Sequence, residues 1–393
     1  MKNWAPWSAN APPAIALVAI RPPARGIPRS GPQNLRDLDL AGLTAWLAQQ
    51  DPKTPRHRAD QLFRWLHQRR ATDFKDMSDL PAAERARLAG LASLQRLHVD
   101  AVFTARDGTR KLRLRTADGA ALESVLIPNE DRGYTQCVSS QVGCALTCRF
   151  CATASLGFQR NLATWEIADQ VYQAQDLLAR EAAAEGAEYA GRITNIVFMG
   201  MGEPLHNYNQ VKRAIELLTH AHGAGIAGRR ITISSSGLVP AIERFARDEL
   251  SKDVGLAISL NATTDAVRDQ VMPINTRWNI ATLLAAVRQV PQHRRRYVTF
   301  EYVLLADIND TDDDARRLSA LVGDMRCQVN VIPFNPHPHA PYRRPSASRV
   351  HRFMSLCRAL GLHVYLRTPR GDDIGAACGQ LALEAGATPV ADA

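Results

Sequence analysis

Cysteine is scarce in this chain. Seven occur in 393 residues, an odd number, and three share one short loop. That excludes a disulfide framework and argues for a reducing compartment and metal chemistry. Long apolar runs are missing too: the stretch Ala14-Ile15-Ala16-Leu17-Val18-Ala19-Ile20, after Pro12-Pro13, is too short to span a bilayer. Acidic residues are in deficit, 39 against 48 lysines and arginines. The net charge of +9 points to an anionic partner.

The positive charge is striped. Arg56-His57-Arg58 with Arg64, Arg69 and Arg70 form one stripe, and Arg106 to Arg115 a second. His293-Arg294-Arg295-Arg296 form a third, and Arg343-Arg344 with Arg349 and Arg352 a fourth. Such runs are usually solvated faces. Four of them favour a nucleic acid, whose backbone would release counterions to them.

The three clustered cysteines are Cys144, Cys148 and Cys151, spaced C-x₃-C-x₂-C. Three thiolates can hold three irons of a [4Fe–4S] cube and leave the fourth open for chemistry. No further cysteine or histidine follows in the next few residues, as a structural zinc site would want. The alternatives are a zinc knuckle with a distant ligand, or three unrelated core thiols. A signal peptide over residues 14–20 is rejected, because a reduced iron–sulfur enzyme belongs in the cytoplasm. Residues 1–34, rich in Pro, Ala and Arg, are expected to be a disordered extension.

Residues 35–98 read as a small helical accessory domain. Leu38, Leu40, Leu43, Trp46 and Leu47 keep an amphipathic spacing, Leu62-Phe63-Trp65-Leu66 mark a second segment, and Ser78-Asp79-Leu80-Pro81 open a third. Residues 99–135 alternate apolar and polar side chains between Asp107-Gly108 and Asp118-Gly119, so they predict strands and hairpins connecting to the main domain. Residues 136–370 alternate strand and helix. Strands are predicted at Gln136–Val142, Thr194–Gly200, Arg230–Ser235, Gly255–Asn261, Val298–Leu305, Gln328–Phe334 and His363–Arg367. A helix is predicted from an N-cap at Thr164, with Ile167, Val171, Ala174 and Leu178 on its inner stripe, and another from Thr311. This α/β pattern implies a parallel sheet. A full or partial (β/α) barrel and an open doubly wound sheet both fit it.

Polar groups gather at the predicted strand ends, where parallel sheets place their chemistry. Gly200-Met201-Gly202-Glu203-Pro204 ends the second strand, with glycines for close ligand approach and a carboxylate for an ammonium. Ser234-Ser235-Ser236-Gly237, Ser259-Leu260-Asn261 and Pro333-Phe334-Asn335-Pro336 end later ones. Residues 371–393 form a C-terminal segment in which Cys378 stands among small residues. Cys327 and Cys357 read as buried or incidental thiols.

The cysteine loop resembles the signature of radical S-adenosylmethionine (SAM) enzymes, and Gly200 to Pro204 resembles their "GGEP" element. With Cys137-Val138-Ser139-Ser140-Gln141-Val142-Gly143-Cys144, Met199 to Pro204 and Ala376 to Leu381, the chain resembles the RlmN/Cfr family of radical SAM RNA adenine methyltransferases over residues 35–385, and its C2-methylating branch in particular. The resemblance implies an α/β fold, a partial (β/α)₆ radical SAM barrel with an N-terminal helical RNA-binding domain. It implies a [4Fe–4S] cluster on Cys144, Cys148 and Cys151, and two SAM molecules per turnover. It implies methylation of an adenosine C2 in 23S rRNA and in tRNA, beside the anticodon. An electron donor such as flavodoxin, a monomer and a cytoplasmic location without a membrane follow as expectations.

Roles are implied likewise. Cys378 would accept a methyl group, Glu123 would remove the ring proton, and Cys137 would free the product through a transient disulfide with Cys378. The SAM contacts implied are Gly202, Glu203, Ser234, Ser259, Leu260, Asn261 and Asn335. Two positions depart from the family. Asn261 stands where many relatives carry His. Gly375 stands where an acidic or polar residue is common, and is expected to loosen the Cys378 loop. Residues 1–34 have no counterpart in the family. The competing readings are adenine-C8 methylation, a radical SAM enzyme acting on a small molecule, and a non-catalytic zinc-stabilised RNA-binding protein.

Overall fold

The computed structural model describes residues 31–129, 133–187, 191–291 and 297–383. Residues 1–30, most of the expected extension, and the basic run at 293–296 lie outside the described residues, as do residues 384–393 of the C-terminal segment. The N-terminal unit begins slightly before residue 35. Its first strand, β1 (Gln33–Asn34), pairs in parallel with β2 (Ala92–Ser93). Between them run α1 (Leu40–Gln50), α2 (His57–Phe63) and α3 (Ala82–Leu91). Asp39 caps α1, accepting the Gly42 N–H at 2.6 Å. Leu43 and Leu47 of the expected stripe are buried.

Next come β3 (His98–Thr104), β4 (Arg110–Arg115) and β5 (Ala121–Pro128), antiparallel across the two Asp-Gly turns. They are part of the main sheet, because β5 pairs antiparallel with β6 (Gly133–Cys137). A short ribbon follows, β7 (Gln141–Gly143) against β8 (Phe158–Asn161). The remaining strands are β9 (Arg192–Phe198), β10 (Ile231–Ser235), β11 (Gly255–Ser259), β12 (Val298–Leu304), β13 (Cys327–Pro333) and β14 (Val364–Leu366). The sheet order is β14-β13-β12-β11-β10-β9-β6-β5-β4-β3, parallel from β6 to β14.

The crossovers carry α4 (Thr164–Ala184), α5 (Tyr208–Thr219), α6 (Val239–Arg247), α7 (Asp265–Val271), α8 (Ile280–Arg288), α9 (Asp312–Val322) and α10 (Ala347–Ala359). The sheet order has two ends, so the sheet does not close. Residues at the C-terminal ends of β9 to β13 line one cavity, so the strands curve around it. A flat doubly wound sheet would not bring five strand ends to one cavity, and the open choice resolves to a partial barrel.

Two local expectations change. The predicted strand Gln136–Val142 is split: Ser139 leaves the ladder and donates its N–H to Gln170 Oε1 at 2.8 Å, and its hydroxyl to the Glu123 carbonyl at 2.6 Å. In α4 the N-cap is Ala163, whose N–H is accepted by Glu166 at 2.8 Å. Thr164 is already helical and its hydroxyl donates to Gln210 at 2.6 Å instead. The inner stripe Ile167, Val171, Ala174 and Leu178 is buried as the spacing predicts. Thr311 caps α9 in a reciprocal capping box with Asp314.

Candidate active site

Cys144, Cys148 and Cys151 sit on the wall of a cavity of about 140 Å³ at the C-terminal ends of β9 to β13. The loop is anchored on both sides. The Cys144 N–H donates to the Gly157 carbonyl at 3.0 Å, the Arg149 N–H to Val271 at 3.0 Å, and the Ala152 N–H to Gly379 at 2.7 Å. Leu146 and Cys148 pack with Val271, Met272 and Phe334. Burial pushes all three thiols up, Cys148 to about 12. They stay protonated at neutral pH until a metal displaces the proton.

Among the described residues, no three His, Cys, Asp or Glu side chains converge as ligands of a single metal ion would. A four-iron cube asks for something else, one thiolate on each of three separate irons, and three thiols spread along one cavity wall fit that demand.

Gly202 and Glu203 line the same cavity. Gly202 has φ +100, and a Cβ there would lie 2.5 Å from the Gln141 Cβ, so only glycine fits. Glu203 is buried, and burial pushes its carboxyl up, opposed by hydrogen bonds from two backbone amides and from the Ser235 and Ser236 side chains. The amide bonds come from Leu205 to Oε1 at 3.1 Å and from Ser236 to Oε2 at 2.8 Å. Ser234, Ser259 and Asn335 also line the cavity.

Leu260 and Asn261 are not brought to that wall. Both are buried behind it. The Leu260 N–H donates to the Glu301 carbonyl at 3.0 Å. Asn261 accepts the Val303 N–H at 2.7 Å and sits at φ +56, a conformation asparagine tolerates.

The C-terminal segment folds back across the cavity. Cys378 and Gly379 are on its wall, and the Cys378 carbonyl accepts the Asn335 amide at 3.1 Å. Thr153 donates to the Leu381 carbonyl at 2.7 Å. Arg106 and Asp107 hold the start of this segment, through Asp373 and the Gly371 N–H, each at 3.1 Å. Gly375 adopts φ +62. Glycine therefore relieves a left-handed turn at this position. Cys378 keeps an exposed face. Crowding by the surrounding protein pushes its thiol up, the Arg367 guanidinium opposes this, and Glu301 and Cys151 add to the rise.

Cys137 and Glu123 lie beside the cavity rather than on its wall. Cys137 ends β6, and burial pushes its thiol to about 12, with Cys378 close enough to add to the effect. Glu123 is fully buried in β5. Its Oε2 accepts the Leu383 N–H at 3.3 Å, and its Oε1 is 3.2 Å from the Lys111 ammonium.

Three residues of the site escape sequence reading. Lys111 looks like one more cation of a basic stripe, yet it is buried against Glu123. Glu301 lines the cavity beside Cys378 and accepts the Asn330 amide at 2.8 Å. The signal for it was a lone charge inside the apolar run Val298–Leu305. Arg268 is fully buried and donates to the carbonyls of Leu260, Ser236 and Ser259 at 2.9, 2.8 and 3.0 Å. It ties the ends of β10 and β11 together; removing it strands carbonyls at about 1–3 kcal/mol each. Cys327 and Cys357 are buried and lie away from the cavity wall.

The basic stripes are partly neutralised. Arg70, Arg110, Arg115, Arg343, Arg349 and Arg352 are all engaged with carboxylates. No helix among the described residues is long and apolar enough to cross a membrane.

A partial barrel whose strand ends share one cavity with a three-cysteine loop defines the radical SAM class of enzyme. Residues 138–318 match the Radical SAM superfamily, and residues 33–94 match the ribosomal RNA large subunit methyltransferase N-terminal domain. The dual-specificity RNA methyltransferase RlmN of Geobacter sulfurreducens is 47% identical over 83% of this chain and 86% of its own length. RlmN 2 of Myxococcus xanthus is 42% identical over 92% of this chain and 94% of its own. The crystal structure of a radical SAM methyltransferase from Sphaerobacter thermophilus superposes with a TM-score of 0.81 at 43% identity, covering 90% of this chain and all of that one. The chain belongs to the RlmN family of dual-specificity RNA methyltransferases. It is a radical SAM RNA methyltransferase, and its cofactors are a [4Fe–4S] cluster and SAM.

Proposed function

We propose that this enzyme methylates C2 of an adenosine in the peptidyl-transferase centre of 23S rRNA and of the adenosine 3′ of the anticodon in tRNAs, by way of S-methylcysteine at Cys378. The observation that carries the reading is the position of Cys378, on the same cavity wall as the three loop cysteines and Glu203. An adenine C2–H carbon is a poor nucleophile, so it calls for radical chemistry. A bound [4Fe–4S] cluster and SAM supply a methyl group and the radical that activates it.

The chain's own residues do the rest. Cys144, Cys148 and Cys151 bind the cluster, and Glu203 takes the SAM ammonium as its charge partner. Gly202, Ser234, Ser259 and Asn335 shape the same pocket, with Leu260 and Asn261 behind it. Cys378 carries the methyl carbon to the base, Glu123 accepts the ring proton, and Cys137 bonds to the Cys378 sulfur as the S–CH2 bond breaks. The electron pair of that bond goes to the carbon, which takes up a proton and becomes the methyl group of the departing product. Arg367 beside Cys378 favours its thiolate. The sequence Arg370-Gly371-Asp372-Asp373 is held on the Arg106–Asp107 turn, which sets the angle at which the Cys378 segment crosses the cavity. The enzyme acts as a cytoplasmic monomer, reduced by a donor such as flavodoxin.

Mass spectrometry of RNA digests tests the product. Cluster-loaded enzyme with rRNA and tRNA transcripts should yield 2-methyladenosine; recovery of 8-methyladenosine alone would overturn the C2 assignment. The pocket has its own test. Glu203→Gln turns an amide N–H against a backbone N–H, and SAM affinity of the cluster-loaded protein should fall about tenfold or more by equilibrium dialysis. Unchanged affinity would remove Glu203 from the SAM site.

A further inference from the structure

Glu123 has two partners, and they belong to different parts of the fold. Oε2 accepts the Leu383 N–H at 3.3 Å, and Leu383 lies on the C-terminal segment that carries Cys378. Oε1 faces the Lys111 ammonium at 3.2 Å, across the hairpin on β4. The β4–β5 register pairs Lys111 with Val125 and Arg113 with Glu123. Lys111 and Glu123 are thus diagonal neighbours on one face of the sheet. Their side chains are 3% and 0% exposed. A lysine this deep is rare unless it is paired. Its other contacts are the Gly375 carbonyl at 3.4 Å and the face of Phe103 at 5.3 Å. The end of the segment is clamped on the same face, since Arg113 donates to the Leu383 carbonyl at 2.8 Å.

We propose that Lys111 is the positioning residue of the base. This inference rests on Glu123 having the role given above. Lys111 sets its positive charge against Oε1 of the buried carboxylate. When the Leu383 N–H withdraws with its segment, Oε2 is the oxygen left to take the proton. In the covalent adduct, where C2 is already bonded to the carbon carried by Cys378, the C2–H bond then breaks heterolytically. Its proton goes to Oε2 and its electron pair stays in the ring, while the adduct's unpaired electron would pass back to the cluster that the established activity supplies. Lys111 neither gives nor takes a proton. Its ammonium lowers the cost of a carboxylate in a buried site.

The test uses full-length, cluster-loaded Lys111→Met, Lys111→Gln, Lys111→Arg and Glu123→Gln. Iron content and methylation of Cys378 report on folding and on the steps before proton removal. In Lys111→Met and Lys111→Gln both should persist while turnover falls at least about tenfold and the covalent enzyme–RNA adduct accumulates. Without the ammonium Oε1 loses the partner that faces it, so proton removal, and no earlier step, should be the one that slows. Lys111→Arg, which keeps a positive charge on this face of the sheet, should clear the adduct and restore most of the turnover.

Wild-type turnover without adduct in Lys111→Gln, or a failure of Lys111→Arg to restore turnover, overturns the proposal, whatever Lys111→Met does to folding, because Lys111 would then only fill space. Glu123→Gln separates the two claims. Free turnover by that variant would sink the base assignment itself. An adduct trapped by Glu123→Gln, but absent from both neutral Lys111 variants, would sink only the role of Lys111.

Discussion

Cys378→Ala is expected to abolish methyl transfer to RNA while leaving iron content and SAM binding intact. In covalent catalysis, loss of the nucleophile costs up to about 10⁶ in rate, so the residual activity should be undetectable in an ordinary assay. No other thiol can substitute. Cys137 is buried and its thiol pushed to about 12, Cys327 and Cys357 are buried away from the cavity, and the three loop cysteines are committed to the cluster. The variant should also keep its fold, because Cys378 contributes its backbone carbonyl to Asn335, and alanine retains that. Methylation by Cys378→Ala at more than a trace would mean that the methyl group reaches adenine without touching this residue.

Cys137→Ala should do something different: it should let the reaction begin and prevent it from ending. With Cys378 bonded to the base, release needs a thiol that attacks the Cys378 sulfur. Cys137 is the neighbour whose thiol feels Cys378 directly. Its removal should trap a covalent protein–RNA adduct, visible as a shifted band under denaturing conditions, with about one adduct per active site and no multiple turnover. The high position of the Cys137 thiol also gives the step a direction in pH. A protonated thiol is a poor attacker, so release should quicken as pH rises towards about 12, within the range the protein survives. Multiple turnover by Cys137→Ala, without an adduct, would remove Cys137 from the mechanism.

These two predictions draw on features of unequal legibility. The cysteine loop could be read from eight residues, because its spacing is local. The parallel strands could be read too, because buried strands are apolar runs, and β9 to β13 fall close to where those runs lie. Gln136–Val142 misled, since its apolar content does not reveal that Ser139 turns out of the ladder to meet Gln170. Leu260 and Asn261 look equivalent to Ser259 along the chain, yet only Ser259 reaches the cavity. The strand ends there, and which way the next side chains point is set by Glu301, Val303 and Arg268 from elsewhere.

The sequence by itself determined the chemistry: three thiols at a fixed spacing, a glycine-flanked carboxylate, and a late cysteine among small residues. Those are matters of bonding and local backbone freedom, which act over a few residues. Only the tertiary structure decided where the C-terminal segment lies, that Cys378 and Cys137 are neighbours across some 240 positions of chain, and that a lysine in a basic stripe is buried against Glu123. Each of those depends on how the sheet curves and how its edge hairpins register, and long-range packing of that kind leaves no periodic mark on the residues it brings together.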